Sequence, residues 1–166
     1  DADGTERILA LVHPAGFIGE LFAPFAHHDV VALTDSELCV FAKMDMGHAV
    51  ELHPKLTQAL LRRSQEDLHR SRKLLALSGR SATERLASLI LSFAEAASDS
   101  PCHPASRFDL PLTRGEIAGM LGLTIETVSR TLTRFERDGL IARKGARGIE
   151  LIDPARLRHS AESARS

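Results

Sequence analysis

The stretch TRGEIAGMLGLTIETVSRTLTRF, at positions 113–135, constrains the fold of this chain more than any other segment. Its first half places Ile117 and Leu121 on one helical face. Gly122 follows at the point where the chain needs a conformation that a side chain would obstruct. Thr124 is a favourable N-cap for a second helix. The spacing therefore predicts two short helices joined by a tight turn, as in a helix-turn-helix.

The predicted second helix has an apolar face and a polar face. Ile125, Val128 and Leu132 fall on the apolar face at helical spacing. The polar face carries an acid, hydroxyls and guanidinium groups, which are side chains able to read bases: Glu126, Ser129, Arg130, Thr133 and Arg134. Spacing alone does not separate this hairpin from an ordinary pair of packed helices, so the residues that follow decide.

A β-hairpin is predicted directly after the second helix. Asp138-Gly139 is a turn signal, and the runs 140–142 and 148–152 have strand character. Their connection, RKGAR at 143–147, is basic and contains a glycine, which is typical of a hairpin tip. A helix-turn-helix followed by a cationic hairpin predicts a winged helix. In such a fold the second helix enters the major groove of DNA and the wing contacts phosphates.

Charge and cysteine content agree with a nucleic-acid-binding protein of the cytoplasm. Residues 1–50 contain 2 Lys/Arg and 8 Asp/Glu, whereas residues 106–166 contain 11 and 8. The basic excess lies where phosphates would be met, although an excess this small also suits a solvated surface. Cys39 and Cys102 are far apart in sequence, which argues against a disulfide scaffold. No apolar run approaches the roughly 18 residues that span a bilayer.

The first 46 residues are dense in short strand candidates separated by turn residues. This pattern predicts part of an antiparallel β-domain that is too short to close a barrel or sandwich. We therefore expect the natural protein to have more chain before Asp1. The predicted strands are 7–12, 17–18, 29–34 and 37–41, with a turn at 13–16.

From residue 55 to residue 77 the pattern is helical. Leu61, Leu68 and Leu75 recur every seven residues, which predicts pairing of two parallel helices in a homodimer. Asp67 lies beside this leucine seam, where its carboxylate would repel that of the partner, or it simply faces water. The alternative is one amphipathic helix packed on its own domain.

The residues between this helix and the helix-turn-helix predict one more helix. SATE at 81–84 has the spacing of a capping box. A loop is expected at 98–107 and a short extended segment at 108–112. The apolar residues of the predicted helix are Leu86, Leu89, Ile90 and Phe93.

With these residues in place, the chain resembles the CRP/FNR family of bacterial transcription regulators, most closely its FNR-like branch. GTERILALVHPAGFIGELF at 4–22 is similar to the later strands of a cyclic-nucleotide-binding-type β-roll. ATERLASLIL at 82–91 is similar to the helix that follows the dimerisation helix. LPLTRGEIAGMLGLTIETVSRTLTRFERDGLI at 110–141 resembles the family's DNA-binding signature.

The resemblance covers nearly the whole chain and implies an α+β fold. Residues 1–48 would be the C-terminal portion of the β-roll sensor, whose N-terminal part this chain lacks. Residues 49–78 would be the long dimerisation helix, and residues 79–166 the C-terminal winged helix-turn-helix. The resemblance also implies double-stranded DNA with a palindromic operator, a second copy of the chain and RNA polymerase as partners, with no membrane.

By this resemblance, base reading falls to Glu126, Ser129 and Arg130. Their E-x-x-S-R form is similar to the FNR branch, which reads TTGAT-type half-sites. Arg can bind guanine through two hydrogen bonds, Glu accepts from cytosine N4, and Ser can contact a base or a phosphate. Contacts to the DNA backbone would come from Arg114, Thr124, Thr127, Arg134, Lys144 and Gly145. Each of these residues could instead be an ordinary polar surface residue.

Cys39 stands where the FNR branch has its internal cluster-ligating cysteine. The resemblance implies an oxygen or redox signal and a [4Fe-4S] cluster in the intact protein, with the remaining cysteines upstream of Asp1, because a cluster needs about four thiolates. The alternative is a buried small hydrophobic residue on a strand. His27 and His28 have no metal-ligand spacing, and nothing near Cys102 marks it as activated.

Two other classes of function have less support in the sequence. A cyclic-nucleotide-type regulatory module that does not act on DNA would need a cation for the cyclic phosphate. The stretch FAHHD at 25–29, which follows Gly19-Glu20-Leu21, contains no arginine. No GxSxG, HExxH, P-loop or paired-cysteine motif is present, so we expect no enzyme activity.

Overall fold

The structure is a computed structural model that describes residues 8–12, 16–19, 28–76, 79–98 and 104–162. The chain divides into two compact units, one of Val12–Leu75 and one of Ala76–Ser166 with Asp1–Leu11. In chain order, the described elements are α1 (Lys43–Leu52), α2 (Pro54–Ala76), α3 (Ala82–Ala96), β1 (Arg107–Asp109), α4 (Arg114–Leu121), α5 (Ile125–Arg137), β2 (Ile141–Lys144), β3 (Gly148–Leu151) and α6 (Pro154–Glu162).

The fold class is confirmed as a mixed chain of helices and a small sheet with a C-terminal winged helix-turn-helix. The strands predicted before residue 42 are wrong for the described positions 8–12, 17–18, 29–34 and 37–41, which form no ladder. A strand exists only where a neighbouring strand takes up its backbone hydrogen bonds, and none of these segments pairs with another described residue. The predicted turn at 13–16 lies outside the described residues except for its last residue.

Two helices dominate the unit of Val12–Leu75. α1 was not predicted, because its apolar residues form no stripe and none of them is buried. It spans the expected boundary between residues 48 and 49. The break at His53 comes before Pro54, which opens α2 because proline fits the first turn of a helix and cannot continue one from within.

α2 confirms the predicted long helix and leaves Leu61 and Leu68 largely in solvent. Leu61 is 61% exposed and Leu68 is 50% exposed. An ion pair between Arg63 and Glu66, 3.7 Å apart, lies on the same helix. The side chains of Asp67 and Leu75 lie outside the described part of the structure. None of the helices in the described ranges is long and apolar enough to cross a membrane.

The unit of Ala76–Ser166 holds the described hydrophobic core. α3 packs against α6, and α4 packs against α5. The sheet is antiparallel in the order β1-β3-β2, with Phe108 opposite Ile149 and Ile141 opposite Leu151. The largest fully buried side chains come from every layer of this unit: Phe135, Leu86, Ile90, Ile117, Ile141, Leu157 and Val128.

Local signals fix where the helices of this unit begin. The predicted capping box at the start of α3 is confirmed, since the Ser81 hydroxyl accepts from the Glu84 N–H and the Glu84 carboxylate accepts from the Ser81 N–H. α6 was missed in the sequence. Its signal was Asp153-Pro154, where the carboxylate accepts from the Arg156 N–H at 2.9 Å and so caps the first turn.

Candidate nucleic-acid interface

The turn between α4 and α5 has the predicted geometry. Gly122 adopts a left-handed conformation with φ +62°, which glycine takes without steric cost. The Leu123 N–H then donates to the Ala118 carbonyl at 2.8 Å, closing the end of α4. Thr124 caps α5 by accepting from the Thr127 N–H at 3.2 Å. In addition, Arg85 of α3 donates to the Leu121 carbonyl at 2.8 Å and so ties this turn to α3.

α5 is anchored in the core through one face. Val128, Leu132 and Phe135 are buried there, and Thr131, which the sequence analysis had not assigned, is buried beside them and donates to the Thr127 carbonyl at 2.8 Å. Ile125 shares this face by its spacing but is 52% exposed at the first position of α5. The first turn of the helix projects beyond the core, so the apolar pattern there does not lead to burial.

The three side chains assigned to base reading lie on the accessible side of α5. Glu126 and Arg130 are exposed, and Ser129 is half-buried. The pKa of Glu126 is lowered by a hydrogen bond from its own backbone N–H, then by one from the Thr124 hydroxyl and by the charge of Arg130. Glu126 is therefore a carboxylate at neutral pH and can only accept hydrogen bonds, as an approach to cytosine N4 requires.

Ser129 is joined to α4 by a side-chain hydrogen bond. Arg114 Nη1 donates to Ser129 Oγ at 2.9 Å. Arg114 is the first residue of α4 and is itself exposed. The structure thus brings together one residue assigned to the DNA backbone and one assigned to a base, a contact that sequence spacing did not predict.

Basic and hydroxyl side chains line a shallow depression along the exposed side of α5. Arg137, which the sequence analysis had not assigned, extends this surface by one turn and pairs with Asp138 at 3.2 Å. Arg134 donates to the Thr83 hydroxyl, and this hydrogen bond connects the guanidinium on α5 to α3. The residues that line the depression are Ser129, Arg130, Thr133, Arg134 and Arg137.

The wing is fixed to α5 by an ion pair. Arg143 of β2 binds the Glu136 carboxylate through its side chain, and its backbone N–H donates to the same carboxylate at 3.1 Å. This pairing lowers the pKa of Glu136 and raises that of Arg143. Arg143 therefore connects the wing to α5. Its position in the sequence predicts instead that it belongs to the cationic tip of the hairpin.

The tip of the wing presents the two predicted residues. Gly145 has φ +63° at the turn, and Lys144 is exposed. Lys144 Nζ lies 3.7 Å from a Glu150 carboxylate oxygen, and Arg107 of β1 donates to the same side chain at 2.8 Å. The hydrogen bond from Arg107, followed by the charge of Lys144, lowers the pKa of Glu150. The wing lysine is therefore accessible to a phosphate but already has an acidic neighbour.

Thr124 and Thr127, which are assigned to contacts with the DNA backbone, form hydrogen bonds with each other in the protein. Thr124 Oγ1 and Thr127 Oγ1 lie 3.0 Å apart and share a hydrogen bond. Both threonines stand at the N-terminal end of α5, where unpaired backbone N–H groups and the helix dipole favour an anion. The geometry is that of a helix end able to rest on a phosphate.

Cys39 is exposed, so the alternative of a buried hydrophobic residue on a strand is wrong. Among the described residues, no group of three or more His, Cys, Asp or Glu side chains is placed to hold a metal ion. His27 and Cys102 lie outside the described ranges.

Comparison with known proteins identifies the C-terminal half of the chain. Residues 84–160 match the family described as the Crp-like helix-turn-helix domain. The chain is 36% identical over 159 residues to the transcriptional activator protein FnrL of Cereibacter sphaeroides, a match that covers 93% of this chain and 64% of that protein. It is 36% identical over 162 residues to the nitrogen fixation regulation protein FixK of Bradyrhizobium diazoefficiens, covering 93% and 65%. The chain thus spans slightly less than two thirds of the length of these relatives.

Solved structures agree with this assignment. FixK2 from Bradyrhizobium japonicum superposes with a TM-score of 0.62 at 29% identity, over 70% of this chain and 57% of that one. A CooA mutant from Carboxydothermus hydrogenoformans gives a TM-score of 0.57 at 27% identity, over 70% and 53%. Residues 84–160 are therefore a Crp-like helix-turn-helix domain. The match of this domain confirms the resemblance read from the sequence, and over 93% of its length the chain is similar to regulators such as FnrL and FixK.

Proposed function

We propose that this chain forms the dimerising and DNA-reading part of a transcription activator that binds a TTGAT-type palindrome as a homodimer. The observation that carries the proposal is the set of Glu126, Ser129 and Arg130 on the accessible side of a helix whose opposite face is buried in the core. Such a helix can enter the major groove without unfolding anything behind it.

Each of the three side chains has a base chemistry that suits it. The Arg130 guanidinium is exposed and acts on Glu126 through its charge, so its donors can reach guanine O6 and N7. The Glu126 carboxylate would accept a hydrogen bond from cytosine N4. The Ser129 hydroxyl would contact a base at a third position of the half-site. Arg114, Arg134, Lys144, Gly145 and the threonine-capped end of α5 would hold the phosphate backbone.

The homodimer part of the proposal is supported by α2. Leu61 and Leu68 lie seven residues apart with half or more of their surface in solvent, and a second copy of α2 would cover both. Leu75 and Asp67 would continue this interface. Two-fold pairing would set the two α5 helices about one DNA turn, roughly 34 Å, apart, which matches a palindromic operator.

The proposal includes an oxygen or redox signal. Support comes from the similarity to FnrL and from the position of Cys39 in the resemblance. The described residues do not fit a cluster by themselves, because they supply one exposed thiol where a [4Fe-4S] cluster needs about four thiolates. Cys39 would be one ligand, and the others would lie outside the described residues. Iron and sulfide analysis after anaerobic purification tests this point, and an iron-free protein that still binds its operator contradicts it.

We expect this protein to be a regulator that acts in the cytoplasm with RNA polymerase and not an enzyme, and the names of the relatives, which describe regulators, support this expectation. A cyclic-nucleotide-type module that does not act on DNA is not favoured, because it leaves the Crp-like helix-turn-helix domain without a role.

A gel-shift titration with matched variants tests the DNA-reading proposal. Arg130→Ala should remove the preference for a TTGAT palindrome over a scrambled duplex, because a two-bond contact to guanine contributes about 1–3 kcal/mol in each half-site. Arg158→Ala is the control, since this half-exposed arginine on α6 pairs with Glu95 at 3.8 Å, away from α5. Equal weakening on both duplexes by Arg130→Ala contradicts the assignment.

A further inference from the structure

A side-chain hydrogen bond crosses the helix-turn-helix on its exposed side. Arg114 Nη1, at the start of α4, donates to Ser129 Oγ, on α5, at 2.9 Å. Arg114 is exposed and Ser129 is half-buried, so neither side chain is required to fill the core. Arg114 also lines the depression between α5 and the wing, beside Gly145 and Arg147. The bond therefore joins the surface expected at the phosphates to the surface expected at the bases.

We propose that Arg114 is a positioning residue that makes Ser129 selective for hydrogen-bond acceptors on the base it reads. The inference rests on the proposed DNA-reading function and names the specificity of one position within it. A serine hydroxyl has one proton to donate and two lone pairs, so an unrestrained serine can contact almost any base edge. Ser129 is restrained, because a group that can only donate occupies one of its lone pairs.

The direction of the selectivity follows from charge. A guanidinium that donates to Oγ polarises the hydroxyl, which strengthens its own O–H as a donor. It also directs the hydroxyl proton away from Arg114, toward the open side of α5. An amino group that approached Oγ as a second donor would meet the positive charge of Arg114. Ser129 therefore donates readily and accepts poorly.

In the major groove this property separates bases that differ by one group. Thymine O4 and guanine O6 are acceptors, whereas cytosine N4 and adenine N6 are donors at the same places. Ser129 should thus favour thymine over cytosine, or guanine over adenine, at its position in the half-site. Arg114 has five N–H groups, so it can hold Ser129 and a phosphate at once.

These two roles of Arg114 are separable by experiment. A lost phosphate contact weakens binding to every sequence by about the same factor and reduces the salt dependence. A lost positioning contact changes the ratio of affinities between an acceptor base and a donor base. Only the ratio reports on the proposal, because the loss of a phosphate contact or of fold stability weakens binding to both bases by the same factor.

The probe is a duplex with two inverted TTGAT half-sites. In separate duplexes, each thymine is replaced in both half-sites by 5-methylcytosine paired with guanine, and the guanine by adenine paired with thymine. The first exchange turns the O4 acceptor into an N4 donor and keeps the methyl group. The position read by Ser129 is the one where wild-type protein loses affinity and Ser129→Ala does not. We expect a loss of about tenfold there.

Arg114→Met should reduce that loss to less than about threefold while it weakens all duplexes together. Lys144→Met is the matched control, because it removes one exposed cation that contacts Glu150 and not Ser129. It should weaken all duplexes and leave the tenfold ratio intact. On the Ser129→Ala background, Arg114→Met should change every duplex by the same factor.

Three results overturn the inference. If Arg114→Met leaves the tenfold ratio of affinities unchanged, Arg114 is a phosphate contact only. If none of the substituted duplexes shows a loss of affinity that depends on Ser129, the serine reads no base. A wild-type protein that binds scrambled and palindromic duplexes equally overturns the proposed function, and the inference falls with it.

Discussion

The two units of the chain differ in how far their described apolar side chains are buried. In the described part of the chain, every buried hydrophobic residue lies between Leu86 and Ala161. The described residues of the unit of Val12–Leu75 include none, whereas large side chains such as Val31, Val40 and Leu68 are exposed there. One unit therefore has a core of its own, whereas the other exposes surfaces that association would cover.

This difference matches the division of labour in the proposed function. A helix that reads DNA has to be held rigidly, because a small displacement at the protein surface moves side chains out of register with base edges. The core under α5 provides that rigidity through Val128, Leu132 and Phe135. A helix that forms a dimer has to keep its apolar seam available, as Leu61 and Leu68 of α2 do.

The largest expected effect removes part of the core. Phe135 is 1% exposed, and Phe135→Ala should lower the free energy of unfolding by about 3–5 kcal/mol because it deletes buried surface and leaves a cavity. Urea denaturation followed by circular dichroism measures the change. Thr133→Ala, two residues earlier on the exposed side of α5, is the control and should stay within about 0.5 kcal/mol. A loss below about 1 kcal/mol for Phe135→Ala contradicts a self-sufficient core.

The second prediction tests the opposite property of α2. Leu68→Ala should leave the urea transition of the C-terminal unit unchanged and raise the dimer dissociation constant by roughly 30-fold, since two half-exposed leucines lose burial of about 1 kcal/mol each. Analytical ultracentrifugation over a range of concentrations measures dimerisation. His69→Ala, the exposed neighbouring residue on the same helix, should have little effect. Unchanged dimerisation in Leu68→Ala would argue that α2 is not the pairing surface.

The third prediction concerns the turn that aims α5. Gly122→Ala should destabilise the C-terminal unit by about 1–2 kcal/mol, because its φ of +62° disfavours any side chain. Crowding is not the cause, since an added Cβ would meet Arg85 Nη1 at an ordinary 3.6 Å. Gly119→Ala is a control of opposite sign. That position lies within α4 with open space around it, so alanine should stabilise the helix by about 0.5–1 kcal/mol.

The smallest effect is a dependence on pH. The bond from Arg143 lowers the pKa of Glu136 in the folded protein. A carboxyl with a lowered folded pKa contributes stability above its unfolded pKa, about 4.3, and this stability is lost as the pH falls through the folded value. The unit should therefore become less stable as the pH falls from 5 to 3. Glu136→Gln should make this loss of stability smaller by less than about 1 kcal/mol, because the pair of Glu136 and Arg143 is partly solvated. If Glu136→Gln leaves the change of stability with pH unaltered, the ion pair between Arg143 and Glu136 contributes no net electrostatic stabilisation.

The helix-turn-helix and wing could be predicted because their signals are local. Gly122 supplies the left-handed residue of the turn, Thr124 supplies the cap, and the alternation after Gly139 marks the strands of the wing. Each of these depends on neighbours within a few residues, so the sequence pattern contains the whole cause.

The wrong strands and the missed side-chain contacts have causes that are distant in sequence, whereas α6 was missed despite its local signal at Asp153-Pro154. Strand candidates such as 29–34 become strands only if another segment pairs with them, and periodicity does not report on pairing. The contact between Arg114 and Ser129, fifteen residues apart, depends on how α4 crosses α5. The burial of Thr131 depends on the same packing, because the threonine stands at the edge of the apolar stripe.

The proposed function depends most on α5 acting as a reader of DNA sequence. The most direct measurement is a competition titration by fluorescence anisotropy, in which wild-type protein on a labelled duplex with inverted TTGAT half-sites is displaced by unlabelled palindrome or by a scrambled duplex at one fixed salt concentration. We predict that the palindrome competes at least about a thousandfold better than the scrambled duplex. Equal competition by the two duplexes would contradict it.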